Sequence, residues 1–122
     1  MSDSFSVQKR LKAFTYATSG AWVFIKTQHS AWIHVFAAVS VVCAGFKLNV
    51  TKTDWIFLVI AMTMVWVAEC MNTAIETLCD QVSIEFKPLI KKSKDIAAGA
   101  VLLAAIGATI IGVIVFLPYV NV

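Results

Sequence analysis

The sequence predicts an all-α membrane protein with an N-terminal amphipathic surface helix and three transmembrane helices, assembling as a helical bundle oligomer. Of its 122 residues, 60% are hydrophobic and only 14% are charged, and the mean hydropathy is +0.84. A soluble domain of this size is much less apolar. Three long uncharged runs separated by short charged segments indicate how the chain crosses the bilayer. We expect one membrane-embedded domain over residues 1–122.

The predicted surface helix covers residues 5–26. Its larger apolar side chains fall within an arc of about 100° of a helical projection, and most of its lysines fall outside that arc. A helix of this pattern lies in the headgroup region of a membrane. The apolar set is Leu11, Phe14, Ala21, Trp22 and Ile25, and the polar set is Lys9, Lys12, Ser19 and Lys26.

The predicted transmembrane helices cover residues 30–46, 55–79 and 96–119. The first has 17 residues without a formal charge, which at the helical rise gives about 26 Å, the short end of a membrane span. The third has 24 such residues, and small side chains recur along it at every fourth position, a pattern that favours close helix packing. The connectors are residues 47–54 and the charged segment 81–95, in which Pro88 should break the helix.

The distribution of basic residues predicts the orientation. Eight of the ten lie before the first span or between the second and third, and only Lys47 and Lys52 lie on the other side. By the positive-inside rule the N-terminus and the 81–95 connector are cytoplasmic. The N-terminus does not resemble a cleaved signal peptide. We therefore expect a multi-pass protein of the bacterial cytoplasmic (inner) membrane.

Composition also limits the functions to consider. A net charge of +3 with scattered basic residues does not indicate a nucleic-acid surface, so no nucleic-acid partner is expected. The sequence contains neither a GxxxxGK[ST] loop nor a GxGxxG motif. Any phosphate chemistry must therefore be built from helices.

A stripe of polar side chains interrupts the second span. Glu69, Asn72, Glu76 and Asp80 fall within about 80° on one helix face. Carboxylates in an apolar helix are costly to desolvate, so they indicate a functional site. The alternative is a polar seam that only holds helices together. His34, inside the first span, is interpreted as an interfacial or hydrogen-bonded histidine without a chemical role.

Phosphoryl transfer to a lipid alcohol requires a base at headgroup depth, carboxylates for a divalent metal and a cation for the developing charge. Glu69 is at a suitable depth for the base. Glu76, one to two turns further out, is a candidate metal ligand. Lys94 and Asp95 begin the third span on the same side, so the spacing is compatible with this chemistry.

Three segments carry a family resemblance. AECMNTAIETLCD, KSKDIAAGAVLLAAI and RLKAFTYATSG together resemble the small prokaryotic integral-membrane diacylglycerol kinase family, which includes undecaprenol kinases. The resemblance covers nearly the whole chain. It implies ATP, a membrane lipid alcohol and the bilayer as partners, and a homotrimer with active sites shared between subunits. It also implies transfer of the γ-phosphate of ATP with Mg²⁺ as the cofactor.

The resemblance further implies roles for individual residues. Glu69 matches the general base and Asn72 its polar partner. Glu76 matches a metal ligand, whereas Gln28 stands where the best-known branch has a second acidic ligand, and its neutral oxygen would hold magnesium more weakly. Substrate-binding positions are Glu69, Trp32 and Gly99. Nucleotide-binding positions are Arg10, Tyr16, Gln28, Glu76, Asp80, Glu85, Lys94 and Asp95.

The acceptor is open at this point. Diacylglycerol, giving phosphatidic acid in phospholipid metabolism, is the first expectation, and undecaprenol is the alternative. The segment QHSAWIH resembles the E-x-N-x-R-I-H pattern of undecaprenol kinases in its Ile33-His34 ending, but Ser30 replaces Asn and Trp32 replaces Arg. From another class, a small transport or structural subunit is less favoured, because residues 55–68 and 96–119 offer no ionisable partner for Glu69.

Overall fold

Four α-helices make up the fold in the computed structural model, which describes residues 5–120. They are α1 (Val7–Thr27), α2 (His29–Lys47), α3 (Lys52–Val82) and α4 (Pro88–Val120). The last three are long and apolar enough to cross a membrane. Residues 5–120 contain no strand, so the predicted all-α class is confirmed.

The boundary between α1 and α2 is a single extended residue. Gln28 has φ −100° and ψ 124°, and its backbone N–H donates to the carbonyl of Phe24. Most of α1 is exposed, but Phe24 near its end is only 6% exposed. The Phe24 ring meets the Trp66 ring of α3 edge-on, with the centroids 6.0 Å apart. This contact holds the end of α1 against the bundle.

A tight turn reverses the chain between α2 and α3. Asn49 adopts a left-handed conformation with φ 50°, which asparagine tolerates better than most residues. Thr51 then caps α3: its hydroxyl accepts from the N–H of Asp54, and the Asp54 carboxylate accepts from the N–H of Thr51. This reciprocal capping box starts α3 at Lys52, inside the segment predicted as a polar turn.

The most extensive packing is between α3 and α4. Leu58 and Val115 are buried together with Val50 at one end of this pair. Ala104, one of the small residues that recur at every fourth position of the third predicted span, is buried further along α4, as is Ala97, whereas Ala100 of the same series is exposed. At the same end as Val115, the Tyr119 hydroxyl donates to the Asp54 carboxylate at 2.5 Å.

The start of α4 differs from the predicted span. The helix begins at Pro88, so residues 88–95 are helical rather than part of an irregular connector. Proline suits the first helical position because its fixed φ is helical and its missing N–H would be unpaired there anyway. An ion pair between Lys91 and Asp95, one turn apart, supports this first part of the helix. Helix α3 already ends at Val82, so Pro88 begins α4 rather than breaking or kinking a helix.

Candidate active site

The polar stripe of α3 changes from buried to exposed along the helix. Glu69 is 8% exposed, Asn72 is half-buried, and Glu76 and Asp80 are exposed. The side-chain amide of Asn72 donates to Oε1 of Glu76 at 3.3 Å. The four residues therefore form one polar path from the interior of the bundle to its surface.

The inner end of this path is a contact between two helices. His34 Nε2 of α2 lies 2.9 Å from Glu69 Oε1, and the side chains are 22% and 11% exposed. His34 is thus a hydrogen-bonded histidine, one of the two alternatives that the sequence predicted, but its partner Glu69 was not predicted. The Ile33-His34 ending was noted only as a resemblance, and nothing in its spacing to Glu69 indicated contact.

The outer end of the path reaches α4. Lys94 Nζ donates to Asp80 Oδ1 at 2.6 Å, and the Glu76 carboxylate is close enough to Lys94 to interact with its charge. Asp95 instead accepts from Lys91 at 2.5 Å. The structure thus brings Lys94 to the stripe, while the adjacent Asp95 pairs with Lys91.

A concavity of about 400 Å³ lies beside this outer end. Residues 83–87 and the first turns of α4 form its walls, and Glu85, Lys94 and Asp95 all line it. Three positions matched to nucleotide binding are therefore gathered at one opening, next to the exposed end of the stripe. Residues of both signs of charge line the concavity.

Other predicted positions lie apart from the stripe within one chain. Arg10 is placed over the Phe5 ring, 5.6 Å from its centroid, Tyr16 is 71% exposed and Trp32 is 58% exposed. Gln28 donates a side-chain hydrogen bond to Thr27, and the space around Gly99 is open. Within residues 5–120, none of these five forms a side-chain hydrogen bond with the stripe.

The side-chain oxygen atoms at Glu76 and Asn72 fit a loosely held magnesium ion. The Asn72 side-chain oxygen is buried and has no hydrogen-bond partner among the residues that the structure describes, and Glu76 lies beside it. Amide and carboxylate oxygens are ligands that Mg²⁺ accepts. No group of three His, Cys, Asp or Glu side chains converges on a metal position in residues 5–120. A metal here would need oxygen atoms from phosphates as well.

An apolar groove of about 350 Å³ approaches the inner end of the stripe from the other direction. It runs between α2, α3 and α4, and its lining is almost entirely hydrocarbon. His34 and Trp66 are at the end nearest Glu69, and Phe116 lines the groove as well. A hydrocarbon chain in this groove would place its polar end near Glu69.

A family model matches most of this chain. The model of prokaryotic diacylglycerol kinase covers residues 15–116. The chain belongs to the prokaryotic diacylglycerol kinase family. The stripe, the groove and the charged concavity all lie within the matched region.

Named relatives agree with this assignment. The chain is 35% identical to an undecaprenol kinase of Bacillus subtilis over 88% of its own length and 87% of that protein. It is 38% identical to a diacylglycerol kinase of Synechocystis over 88% of its length and 62% of that protein. A diacylglycerol kinase of Escherichia coli K12 is 30% identical over 82% of both chains. The protein is therefore a membrane-embedded lipid kinase that uses ATP as co-substrate.

Proposed function

We propose that this kinase transfers the γ-phosphate of Mg-ATP to the hydroxyl of a lipid alcohol held beside Glu69. The observation that carries this proposal is the position of Glu69. Its carboxylate is buried at the inner end of a polar path, between an apolar groove and an outer end that meets Lys94. A lipid can approach along one side and a nucleotide along the other.

The proposed reaction uses this arrangement directly. The lipid hydroxyl oxygen bonds to the γ-phosphorus, the bond from that phosphorus to the oxygen bridging to the β-phosphate breaks, and ADP leaves. Glu69 accepts the hydroxyl proton as general base. Glu76 lies seven residues from Glu69, about 10 Å along the helix axis, so a γ-phosphate fits between them.

The residues near the phosphates have separate roles. Lys94 supplies positive charge to the transferred phosphoryl group, and Asn72 positions groups between Glu69 and Glu76. Magnesium held by Glu76, Asn72 and Gln28 would neutralise phosphate charge.

Glu85, Asp80 and Asp95 border the nucleotide, and Arg10 and Tyr16 contact it from the surface helix. Trp32 and Gly99 contact the lipid.

The test of the general base is Glu69→Gln. Turnover of labelled ATP into lipid phosphate should fall about 10²–10⁴-fold, the usual contribution of general base catalysis. Asp54→Asn is the matched control, since it makes the same change from carboxylate to amide at the far end of α3 and should retain turnover per folded protein. Full turnover in Glu69→Gln would remove Glu69 from the base role.

The first candidate acceptor is diacylglycerol, which the names of the relatives from Synechocystis and Escherichia coli indicate. Undecaprenol is a second candidate, because the Bacillus subtilis relative is an undecaprenol kinase and the Ile33-His34 pair resembles that branch. Purified protein in mixed micelles, offered each lipid with Mg-ATP, decides between them. A higher kcat/KM with undecaprenol would reverse the order, and turnover of neither would refute both.

The membrane arrangement is part of the proposal. An N-terminus on the cytoplasmic face of the bacterial inner membrane places Glu76 and Lys94 on the side where ATP is present, and the lysine distribution supports this orientation. Labelling from outside the cell of Ser6→Cys, in a variant whose native Cys43, Cys70 and Cys79 are changed to Ala, tests it. Reaction with a membrane-impermeant reagent in intact cells would contradict the orientation.

A homotrimer with shared active sites accounts for the scattered positions. Arg10 and Tyr16 are exposed and lie apart from the stripe of their own chain, so a neighbouring subunit would bring them to it. Many large apolar side chains are also exposed, among them Phe36, Leu103 and Ile114. The mass of the purified protein in detergent, corrected for bound detergent by light scattering, measures the subunit number. A monomeric active enzyme would contradict this proposal.

A further inference from the structure

The contact between His34 and Glu69 has no assigned purpose in the reaction proposed above. These residues are 35 positions apart, and the 2.9 Å separation joins α2 to α3. Their side chains are largely withdrawn from solvent. A carboxylate in such a position is costly to leave without a hydrogen-bond donor, so the contact is part of what keeps Glu69 in place.

The proposed role of Glu69 sets the direction of the hydrogen bond. A general base is ionised and an ionised carboxylate only accepts hydrogen bonds, so in that role Oε1 of Glu69 accepts from a hydrogen on Nε2 of His34. Among residues 5–120, the side-chain hydrogen bond recorded for Glu69 uses Oε1 and leaves Oε2 out of it. One oxygen of the carboxylate is thus engaged and the other is available to a substrate hydroxyl.

The imidazole is itself held in orientation by its surroundings. The Trp66 ring lies 6.2 Å from the His34 ring between centroids, tilted by 60°, and Trp66 also meets Phe24. Trp66 precedes Glu69 by three residues, so both side chains are on the same face of α3. Packing against an indole restricts the ring of His34, and the oriented ring restricts the carboxylate.

We propose that His34 is a positioning residue, which donates from Nε2 to Glu69 and aims the free carboxylate oxygen at the hydroxyl of the lipid alcohol. The proposal rests on the function of Glu69 as general base. A carboxylate displaced by about 1 Å can cost a hundredfold in rate. The role is therefore expected to appear in kcat rather than in the KM for ATP.

The test measures lipid kinase turnover in mixed micelles for four substitutions at position 34. His34→Ala should lower kcat by about ten- to a hundredfold and leave the KM for ATP little changed. His34→Phe keeps an aromatic ring against Trp66 but has no donor, so it should be equally impaired. His34→Gln should recover much of the rate, because the amide nitrogen of glutamine is separated from Cα by the same number of bonds as Nε2 of histidine. His34→Asn is one bond shorter and should not.

The controls separate this proposal from folding and from the proposed function. His29→Ala changes the other histidine, which is exposed at the start of α2, and should leave kcat unchanged. Helical circular dichroism and the KM for ATP report whether each variant is folded. If His34→Ala does not fold, the kcat of His34→Gln is compared with that of His34→Phe instead.

Each outcome either supports or overturns one of the two proposals. The positioning role is overturned if Glu69→Gln is inactive but His34→Ala or His34→Phe keeps the wild-type kcat. It is also overturned if His34→Gln and His34→Asn have equal rates. Full turnover in Glu69→Gln would instead refute the proposed function of Glu69. A fall in kcat for His34→Ala with recovery in His34→Gln would support the proposal.

Discussion

Lys94 Nζ lies 2.6 Å from Asp80 Oδ1, which joins the first turns of α4 to the last turns of α3. The side chains of this pair are 37% and 56% exposed, so solvent screens the interaction and it adds little to stability. The pair lies at the outer end of the polar stripe. An anionic ligand entering here would compete with Asp80 for the lysine.

The first prediction concerns Lys94 as the cation for phosphate. Lys94→Met keeps the aliphatic part of the side chain and removes its charge. The apparent KM for ATP should rise by about ten- to a hundredfold, as expected for the loss of a hydrogen bond between charged groups. Initial rates of lipid phosphorylation over a range of ATP concentrations measure this.

Lys92→Met is the matched control, because Lys92 is exposed two residues away on the same helix and forms part of a basic patch. Its KM for ATP should remain that of the wild type. An unchanged kcat/KM for ATP in Lys94→Met would mean that the ammonium group does not contact the nucleotide.

The second prediction concerns Gln28. Replacing it with glutamate adds a negative charge to a position matched to a metal ligand, and carboxylates bind Mg²⁺ more strongly than amides. The magnesium concentration for half-maximal activity should fall by about three- to tenfold in Gln28→Glu. Titration of magnesium at fixed ATP, corrected for Mg-ATP formation, measures it.

Gln8→Glu provides the same substitution at an exposed position near the start of α1, and its magnesium curve should match that of the wild type. If the curves of Gln28→Glu and Gln8→Glu coincide, Gln28 is not close to the metal in the assembled enzyme.

The third prediction concerns the packing of α2 on α3. A Cβ added to Gly45 would lie 2.4 Å from Cη2 of the Trp55 ring, and a rigid indole has little freedom to move away. Gly45→Ala should therefore lower the free energy of unfolding by about 1–3 kcal/mol, the usual cost of overpacking. Denaturant unfolding in micelles, followed by tryptophan fluorescence and circular dichroism, measures this cost.

Gly20→Ala makes the same change where nothing lies within 4 Å of the new Cβ. It should stabilise helix α1 by about 0.5–1 kcal/mol, because alanine favours the helix more than glycine does. Adding Trp55→Leu to Gly45→Ala should recover part of the loss. Equal stability of Gly45→Ala and the wild type would show that Trp55 moves aside without cost.

Local periodicity was sufficient to predict much of the site on α3. Glu69, Asn72, Glu76 and Asp80 share a face because a helix fixes the angle between successive side chains. The three transmembrane helices were predicted from apolar runs long enough to span a bilayer, the second of which includes the polar stripe. The boundaries differed where local capping decided them. Thr51 with Asp54 starts α3 early, and Pro88 starts α4 eight residues before the predicted span.

Contacts between helices could not be predicted from the periodicity within single helices. The sequence shows that His34 and Glu69 each lie in an apolar helix, but not that α2 turns its histidine toward this carboxylate. The same holds for Gly45 against Trp55 and for Tyr119 donating to Asp54. Such contacts depend on the rotation and register of one helix against another, which the pattern within either helix does not contain.

The sequence by itself thus determined the all-α membrane fold, the family and the face of α3 that carries the carboxylates, because these follow from composition, motif and helical repeat. Only the tertiary structure decided that Glu69 is paired with His34 and that Lys94 meets Asp80 rather than Asp95. Those pairings join residues on different helices. Their partners are selected by how apolar surfaces fit together, and only the packed helices define that fit.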